Sequence, residues 1–268
     1  MGILEYTFFQ NALIGSLLAS IVCGIVGTYI VARRLVFICG GVTHASFGGI
    51  AIGAYIGVSP IAGAMAMAVA SACGVKWLTE RGAREDASIA LFWTLGMSVG
   101  IIFSYLTPGF MPDLPSYLFG NILMIDSGDI ALLAIMAAMA VVAAATLGRT
   151  LVHIAFDPAF ARSQHLPVRA LDYMAMALIA LAIVSILRMV GIVLAMSLLT
   201  IPQMTAQLFT HDIRRMAVTS IAFSLAFSLA GLAIAYWIGI PSGATIIVVA
   251  ALIYGTLKAI KQARQSFE

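Results

Sequence analysis

The sequence predicts an all-α membrane protein, a polytopic helical bundle with eight or nine transmembrane helices. Of the 268 residues, 62% are hydrophobic and only 9% are charged, whereas soluble domains average about 25% charged residues. The hydrophobic residues form blocks of about 20, the length of a helix that crosses a bilayer, and short polar segments separate them. Strand-like alternation is absent, which favours a helical bundle over a barrel.

The hydrophobic blocks delimit nine predicted spans: 8–32, 37–57, 61–78, 87–106, 128–148, 172–187, 190–208, 216–238 and 243–259. Residues 116–125 are too short to span and are predicted to form an interfacial or re-entrant piece. Merging one segment with a neighbour would give eight spans. All of 1–268 is predicted to form a single transmembrane domain, with one sizeable cytoplasmic loop at 149–171.

The basic residues predict the orientation of the chain. With the N-terminus outside, thirteen of the fourteen Lys and Arg residues fall on the cytoplasmic side and only Arg188 falls outside. Cytoplasmic loops of membrane proteins are enriched in Lys and Arg. The C-terminus is therefore predicted to be cytoplasmic. The three cysteines lie within apolar blocks without a CxxC motif, which predicts free thiols.

The second predicted span contains one ionisable side chain, His44, surrounded by glycines. An ionisable group inside a membrane helix is costly, so a functional role is the default hypothesis. A core histidine that is hydrogen-bonded to a carbonyl of a neighbouring helix is the alternative. Small residues recur every fourth position, which predicts a ridge where another backbone approaches closely; they are Gly41, Ala45, Gly49, Gly53 and Gly57.

The loop 149–171 contains the signals of a short helix. Asp157 followed by Pro158 is typical of a helix N-cap with proline at the first helical position. Pro167 is predicted to end this helix, because the residue before a proline avoids the α region. Phe160 makes the helix half apolar. The helix could lie on the membrane interface or dock a cytoplasmic partner, and these residues leave both open.

Several stretches of the sequence resemble, in order, the permease subunits of zinc, manganese and iron ABC importers. The resemblance extends from about Leu17 to Tyr254, and its most specific parts are the RR…THAS and FARSQHLPVR blocks. The stretches are RRLVFICGGVTHASFGGIAIG, EDASIALFWTLGMSVGIIF, SYLFGNIL, AFDPAFARSQHLPVRALD, LRMVGIVLAMSLLTIPQMTAQL and IPSGATIIVVAALIYG.

The resemblance implies the fold of the cobalamin-importer-like permeases, in a bacterial plasma (inner) membrane. It implies three protein partners: a second copy of the chain, a cytoplasmic ABC ATPase and an extracytoplasmic metal-binding protein. Members of the family commonly carry an aspartate four residues before the histidine, where this sequence has Gly40.

The resemblance also implies roles for particular residues. His44 would contact the transported metal transiently. The translocation path and the helix packing beside it would involve Gly40, Gly41, Thr43, Ser46, Gly48 and Gly49. Coupling to the ATPase would involve Asp157, Pro158, Phe160, Ala161, Arg162, Gln164, Leu166 and Pro167. From the residues alone, Thr43 and Ser46 are predicted to donate hydrogen bonds to backbone carbonyls.

The predicted function is ATP-driven import of a divalent transition-metal ion, with zinc ranked first and manganese or iron after it. The chain is predicted to be a transport subunit and not an enzyme: it has no GxxxxGK[ST] phosphate loop and no HExxH motif. No permanently bound cofactor and no nucleic-acid partner is predicted; lipid surrounds the chain. A metal-chelate importer permease and a stand-alone secondary transporter are the alternatives.

Overall fold

The computed structural model describes residues 7–109 and 125–265, and within these ranges the chain forms helices without β-strands. Ten helices follow one another along the chain. They are α1 Thr7–Ala32, α2 Val36–Ile56, α3 Pro60–Glu80, α4 Glu85–Leu106, α5 Ser127–Phe156, α6 Pro158–Ser163, α7 Val168–Leu198, α8 Ile201–Gln207, α9 Ile213–Ile238 and α10 Ser242–Gln265.

In the described part of the chain, nine helical segments are long and apolar enough to cross a membrane. Seven helices supply one segment each, and α7 supplies Val168–Leu187. The ninth segment, Met189–Gln207, combines the end of α7 with α8. The structure thus gives nine spans and not eight within the described ranges. The predicted interfacial or re-entrant piece at 116–125 lies outside them, apart from Ile125.

The segment Met189–Gln207 is a broken helix. Gly191 interrupts α7 with φ 74° and ψ 174°, a conformation that is essentially restricted to glycine. A second break occurs at Thr200, where φ is −131°, and Pro202 lies in the first turn of the helix that follows. A proline within a membrane helix is expected to kink it; the structure instead shows a complete break followed by a new helix.

Helix α5 continues further than the sequence predicts. It contains 30 residues and ends at Phe156, whereas the predicted span ends at residue 148. A helix of this length measures about 45 Å and exceeds the ~30 Å hydrocarbon core. Arg149 does not stop it, because a charged side chain is compatible with a helix that leaves the membrane. The helix ends where Asp157 precedes Pro158, so most of the predicted loop 149–171 is helical.

The chain is organised in two compact units. One comprises Met1–Arg34, Pro115–Val141 and Arg188–Glu268, and the other comprises Leu35–Leu114 and Val142–Leu187. His44 and helix α6 both belong to the second unit, so the two predicted functional elements share one unit. The assignment of 1–268 to a single transmembrane domain stays a prediction.

In the first unit, the buried side chain of Gln203 satisfies backbone groups near the second helix break. Its Nε2 donates to the carbonyl oxygens of Cys23 at 2.7 Å and Leu198 at 3.4 Å. Inside a membrane a free carbonyl has no water to bond, so at Leu198 the side-chain amide takes the place of the helical donor that is lost at the break. A side chain at Gly27 of α1 would collide with Gln203, so this glycine makes the contact possible.

In the second unit, the predicted ridge on α2 contacts two neighbouring helices. Ala45 lies against Gly96 of α4, whereas Gly49 lies against Gly63 of α3. Four residues rotate a helix by one turn plus about 40°, so successive members of the ridge face gradually different directions. The inclusion of Gly57 in the ridge is wrong: this residue ends α2 as a left-handed cap with φ 75°, and no heavy atom lies within 4 Å of the position that a Cβ would take there.

A network of ionic side chains joins the end of α3 to the start of α7 in the second unit. Lys76 Nζ lies 2.8 Å from Asp172 Oδ2, and both side chains are largely buried, with 17% and 9% exposed. Arg169 Nη2 lies 3.2 Å from Glu80 Oε2, and the Tyr173 hydroxyl donates to the same oxygen at 3.3 Å. The network fixes the first two turns of α7, immediately after the segment that contains α6.

We expect Asp172→Asn to destabilise the protein, because the largely buried ammonium group of Lys76 would lose its 2.8 Å partner and keep only the longer 4.0 Å pair with Glu80. Breaking such a pair costs about 2 kcal/mol or more, which corresponds to a fall of roughly 5 °C in the thermal midpoint. The midpoint can be measured on detergent-solubilised protein. The matched control is Asp86→Asn, because the Arg84–Asp86 pair has the same 2.8 Å separation but is 83% and 64% exposed. Equal midpoints for the two variants would contradict a stabilising role for the buried pair.

Candidate functional site

The His44 imidazole is partly accessible, although the part of α2 around it is otherwise buried against neighbouring helices. Every other residue of α2 from 38 to 49 is buried, and His44 alone in this stretch is half-buried. The close approach of Ala45 to Gly96 holds α2 against α4 next to it. The histidine is therefore presented by a rigid pair of helices.

Two side chains of α4 hold the imidazole. The ring stacks on Trp93 with 4.4 Å between ring centroids and 13° between planes. Nδ1 of the imidazole lies 3.4 Å from Sδ of Met97. Among the described residues, the polar contact of His44 is this one to Met97 and not the alternative prediction, a hydrogen bond to a carbonyl of a neighbouring helix. A thioether is only a weak acceptor, so the imidazole keeps most of its capacity to bind a ligand.

No group of three or more His, Cys, Asp and Glu side chains able to hold a metal occurs within residues 7–109 and 125–265. His44 therefore belongs to no such cluster among the described residues of its own chain. Cys39 lies five residues before it and is fully buried, while the imidazole is accessible. Within the described residues, the candidate site of one chain consists of one imidazole with a thioether beside it.

The hydroxyl groups around His44 satisfy the helix backbone, as predicted. Thr43 Oγ1 donates to the carbonyl oxygens of Cys39 at 2.7 Å and Gly40 at 2.8 Å. Ser46 Oγ donates to the Thr43 carbonyl at 2.6 Å. Both residues are buried. Ser46 is thus engaged away from the imidazole, which is inconsistent with a serine nucleophile activated by His44.

The predicted glycines near His44 serve the packing of α2. Gly40 is buried, and a Cβ on Gly41 would lie 2.7 Å from Ile89 of α4. A Cβ on Gly48 would lie 2.7 Å from the Gly96 carbonyl oxygen, and one on Gly49 would collide with Gly63. Their part in a translocation path stays a prediction.

Helix α6 begins as the sequence predicts. Asp157 Oδ1 accepts a hydrogen bond from the Phe160 amide at 2.8 Å, and Pro158 occupies the first turn. This cap satisfies one of the free amides at the helix start and contributes about 1 kcal/mol. The Arg162 guanidinium donates from Nε to the Pro158 carbonyl at 3.1 Å.

The end of α6 differs from the prediction. The helix stops at Ser163, with Gln164 as its cap, and not at Pro167. His165 takes a left-handed conformation with φ 57°, because the chain must leave the α region before Leu166, which precedes the proline. Pro167 instead starts the next helix, where its carbonyl accepts from the Leu171 amide at 3.0 Å.

Nearly all of α6 faces outward from its unit. Phe160 is 50% exposed, and Phe156, just before the cap, is 66% exposed. Ala161 is fully buried and fixes the inner side of the helix. Of the other predicted coupling residues, Leu166 is half-buried, and five are exposed; these five are Asp157, Pro158, Arg162, Gln164 and Pro167.

Trp93 and Met97, the two side chains that hold His44, are not identified by the sequence analysis. They lie four residues apart in α4 and so share one face of that helix. This spacing is a visible signal, but an aromatic residue and a methionine on one face of an apolar helix are equally typical of core packing or lipid contact.

Residues 5–260 match the ABC 3 transport family. The chain belongs to this family. An uncharacterised membrane protein of Synechocystis is 37% identical over 252 residues, covering 94% of this chain and 90% of the relative. The manganese transport system membrane protein MntC of Listeria monocytogenes is 31% identical over 254 residues, with the same coverage.

Two solved structures share the fold of this ABC 3 transport family member. PsaBC from Streptococcus pneumoniae, in complex with Fab, superposes with a TM-score of 0.85 at 26% identity, covering 96% of this chain and 92% of that one. An inward-facing metal-chelate type ABC transporter superposes with a TM-score of 0.74 at 13% identity, covering 93% and 85%. The predicted all-helical ABC permease fold is confirmed.

Proposed function

We propose that the chain is the membrane-spanning subunit of an ATP-driven importer of divalent transition-metal ions. The observation that carries this proposal is His44: a half-buried imidazole at the centre of a close-packed membrane helix. Imidazole is a common ligand of zinc and other first-row metals. A ligand in a transport path must bind weakly enough to release its ion, and a site with few donors meets that requirement.

Zinc is the first candidate substrate, followed by manganese and iron. Membership of the ABC 3 transport family supports transport, and the name of the Listeria relative supports a metal substrate. The metal is cargo, and the proposal includes no permanently bound cofactor. A metal-chelate importer is the main alternative, since the fold also occurs in a metal-chelate type transporter.

The proposed complex contains a second copy of the chain, a cytoplasmic ABC ATPase and an extracytoplasmic metal-binding protein, in a bacterial plasma membrane. The N-terminus lies outside and the C-terminus in the cytoplasm, in keeping with the distribution of basic residues. In this complex, α6 contacts the ATPase. Its capped start, its exposed Phe160 and its short length suit a helix that inserts into a groove of a partner.

ATP binding and hydrolysis in the partner would move the two copies between outward-open and inward-open arrangements. Close-packed helices move as rigid bodies between discrete arrangements, which favours alternating access over a fixed open pore. Two copies of His44 facing each other would give the cation two nitrogen ligands. A metal site shared between two copies is in keeping with the described part of one chain, which contains no group of three or more His, Cys, Asp and Glu side chains able to hold a metal.

The proposal is tested by ATP-dependent uptake of zinc, manganese and iron into vesicles that contain this chain, its ATPase and its binding protein. Accumulation of at least one of these ions that requires all three proteins and ATP supports the importer. Uptake that persists without the ATPase and depends on an ion gradient would instead identify a secondary transporter. Uptake of a chelated metal but of no free ion would identify a chelate importer.

The secondary transporter is disfavoured by the position of the acidic side chains. Such a carrier needs an ion-coupling carboxylate at membrane depth. Among the described residues, the Asp and Glu side chains lie in loops or within the first two turns or the last turn of helices; they are Glu80, Glu85, Asp86, Asp126, Asp129, Asp157, Asp172 and Asp212. The buried carboxylate of Asp172 is already paired with Lys76.

We expect Phe160→Ala to weaken binding of the ATPase while leaving the fold intact. In the proposed complex, the exposed ring of Phe160 is the apolar side chain by which α6 binds the ATPase. Loss of such an anchor costs about 2 kcal/mol, roughly a thirtyfold change in affinity. Binding can be measured between the purified ATPase and the chain in nanodiscs. The control is Trp237→Ala, an aromatic residue that is 88% exposed at the end of α9 on the predicted outer side. Equal affinities for wild type and Phe160→Ala would contradict the docking role.

A further inference from the structure

The donor atom beside His44 is a sulfur. Met97 Sδ lies 3.4 Å from His44 Nδ1, and α2 itself contains no Asp or Glu. Met97 follows Gly96, and His44 precedes Ala45, so the backbone contact between Gly96 and Ala45 places these two side chains next to each other. The stacked ring of Trp93 limits rotation of the imidazole away from the sulfur.

We infer that Met97 is a second ligand for the transiting cation and that the imidazole–thioether pair selects zinc over manganese. This inference rests on the proposed metal import and names a residue of that site, together with the substrate that it favours. It assigns to Met97 a direct role in metal selection.

The separation of the two atoms suits a single bridging cation. Zinc binds imidazole nitrogen at about 2.0–2.1 Å and thiolate sulfur at about 2.3 Å, and a neutral thioether binds at a slightly longer distance of about 2.4 Å. Donors 3.4 Å apart then subtend roughly 100° at the metal, near the tetrahedral angle. A cation can therefore enter between Nδ1 and Sδ without a large movement of either helix. Two further positions remain open for water or for ligands from a second copy of the chain.

The chemistry of the pair determines which cation it favours. Thioether sulfur is a soft ligand that suits zinc and copper(I), and imidazole suits zinc. Manganese(II) is bound best by carboxylate, carbonyl and water oxygens, and α2 and the contacting residues of α4 provide no carboxylate at this level. Manganese also has a lower intrinsic affinity than zinc for a given nitrogen and sulfur site.

The first measurement is zinc X-ray absorption on the complex of this chain with its ATPase in nanodiscs, loaded with zinc alone. We expect a sulfur scatterer at about 2.3–2.5 Å together with nitrogen or oxygen scatterers in the wild type. Met97→Leu keeps the size and apolar character of the side chain and should remove the sulfur scatterer. Met139→Leu is the control, because Met139 is 43% exposed on α5. A wild-type spectrum without sulfur, or sulfur that persists in Met97→Leu, overturns the inference.

The second measurement is competition between zinc and manganese for ATP-dependent uptake by the full complex at equal free-ion concentrations. Met97→Leu should lower the ratio of zinc to manganese uptake by about tenfold, the equivalent of one lost moderate interaction, and Met139→Leu should leave it unchanged. An unchanged ratio in Met97→Leu overturns the inference even where overall uptake falls. Whether the ratio falls or stays unchanged, ATP-dependent uptake persists and the proposed importer stands. If no metal at all is taken up in an ATP-dependent way, the proposed function itself is rejected.

Discussion

His44→Ala is expected to reduce ATP-dependent metal uptake by about tenfold or more, the effect of losing a ligand worth at least ~1.4 kcal/mol in the transport path. The imidazole is the accessible nitrogen ligand of α2, and the other polar side chains beside it, Thr43 and Ser46, are engaged with backbone carbonyls. Within the described residues, no cluster of carboxylates or thiolates offers a substitute metal site. Initial uptake rates in vesicles measure the effect.

The control for this prediction separates function from folding. Loss of the stack on Trp93 costs only about 0.5–1.5 kcal/mol, so His44→Ala should still assemble with the ATPase. His44→Phe retains an aromatic ring on Trp93 but has no lone pair for a metal, and it should be as inactive as His44→Ala. His211→Ala, an exposed histidine in the loop between α8 and α9, should transport normally. Normal uptake in His44→Phe would show that the ring serves packing only.

The second large effect is expected from Gly49→Ala, which should prevent α2 and α3 from packing. A methyl group at Gly49 would collide with the backbone carbonyl of Gly63, and a backbone atom cannot move aside as a flexible side chain can. Overpacking of this kind costs about 1–3 kcal/mol, so the thermal midpoint should fall by roughly 3–8 °C. Thermal stability in detergent and the yield of monodisperse protein measure it.

The matched control is Gly148→Ala in α5. This glycine is also helical, but no heavy atom lies within 4 Å of the position that its Cβ would take. Alanine should therefore stabilise α5 slightly, by up to about 1 kcal/mol, through its higher helix propensity. If Gly49→Ala and Gly148→Ala had the same midpoint, the close backbone contact between α2 and α3 would be unimportant for stability.

The local chemistry of the sequence predicts much of the helical framework. Hydrophobic length delimits the spans, because backbone groups inside a bilayer must be bonded within helices. The Asp157–Pro158 pair predicts the start of α6, since both the cap and the proline act on residues within one turn. The four-residue spacing of Ala45 and Gly49 predicts close helix contacts, although it does not indicate that two different helices make them.

The ends of helices are harder to predict where a charge or proline has more than one outcome. Arg149 suggests the end of a span, but a helix can continue into water, and α5 does so as far as Phe156. Pro167 suggests the end of α6, but proline acts on the residue before it and is equally suited to begin the next helix. The helix consequently ends at Ser163, and a left-handed residue, His165, completes the turn.

Sequence alone thus determined that this is a multi-span helical membrane protein with one histidine set among small residues and a capped helix in a polar loop. These features follow from composition, spacing and neighbouring residues. Only the tertiary structure decided the surroundings of His44, because Met97 is 53 residues away in the chain. The same holds for the buried ion pair, in which Lys76 is 96 residues from its partner Asp172. Such pairs depend on how the helices pack, and no local pattern in either helix specifies which faces will meet.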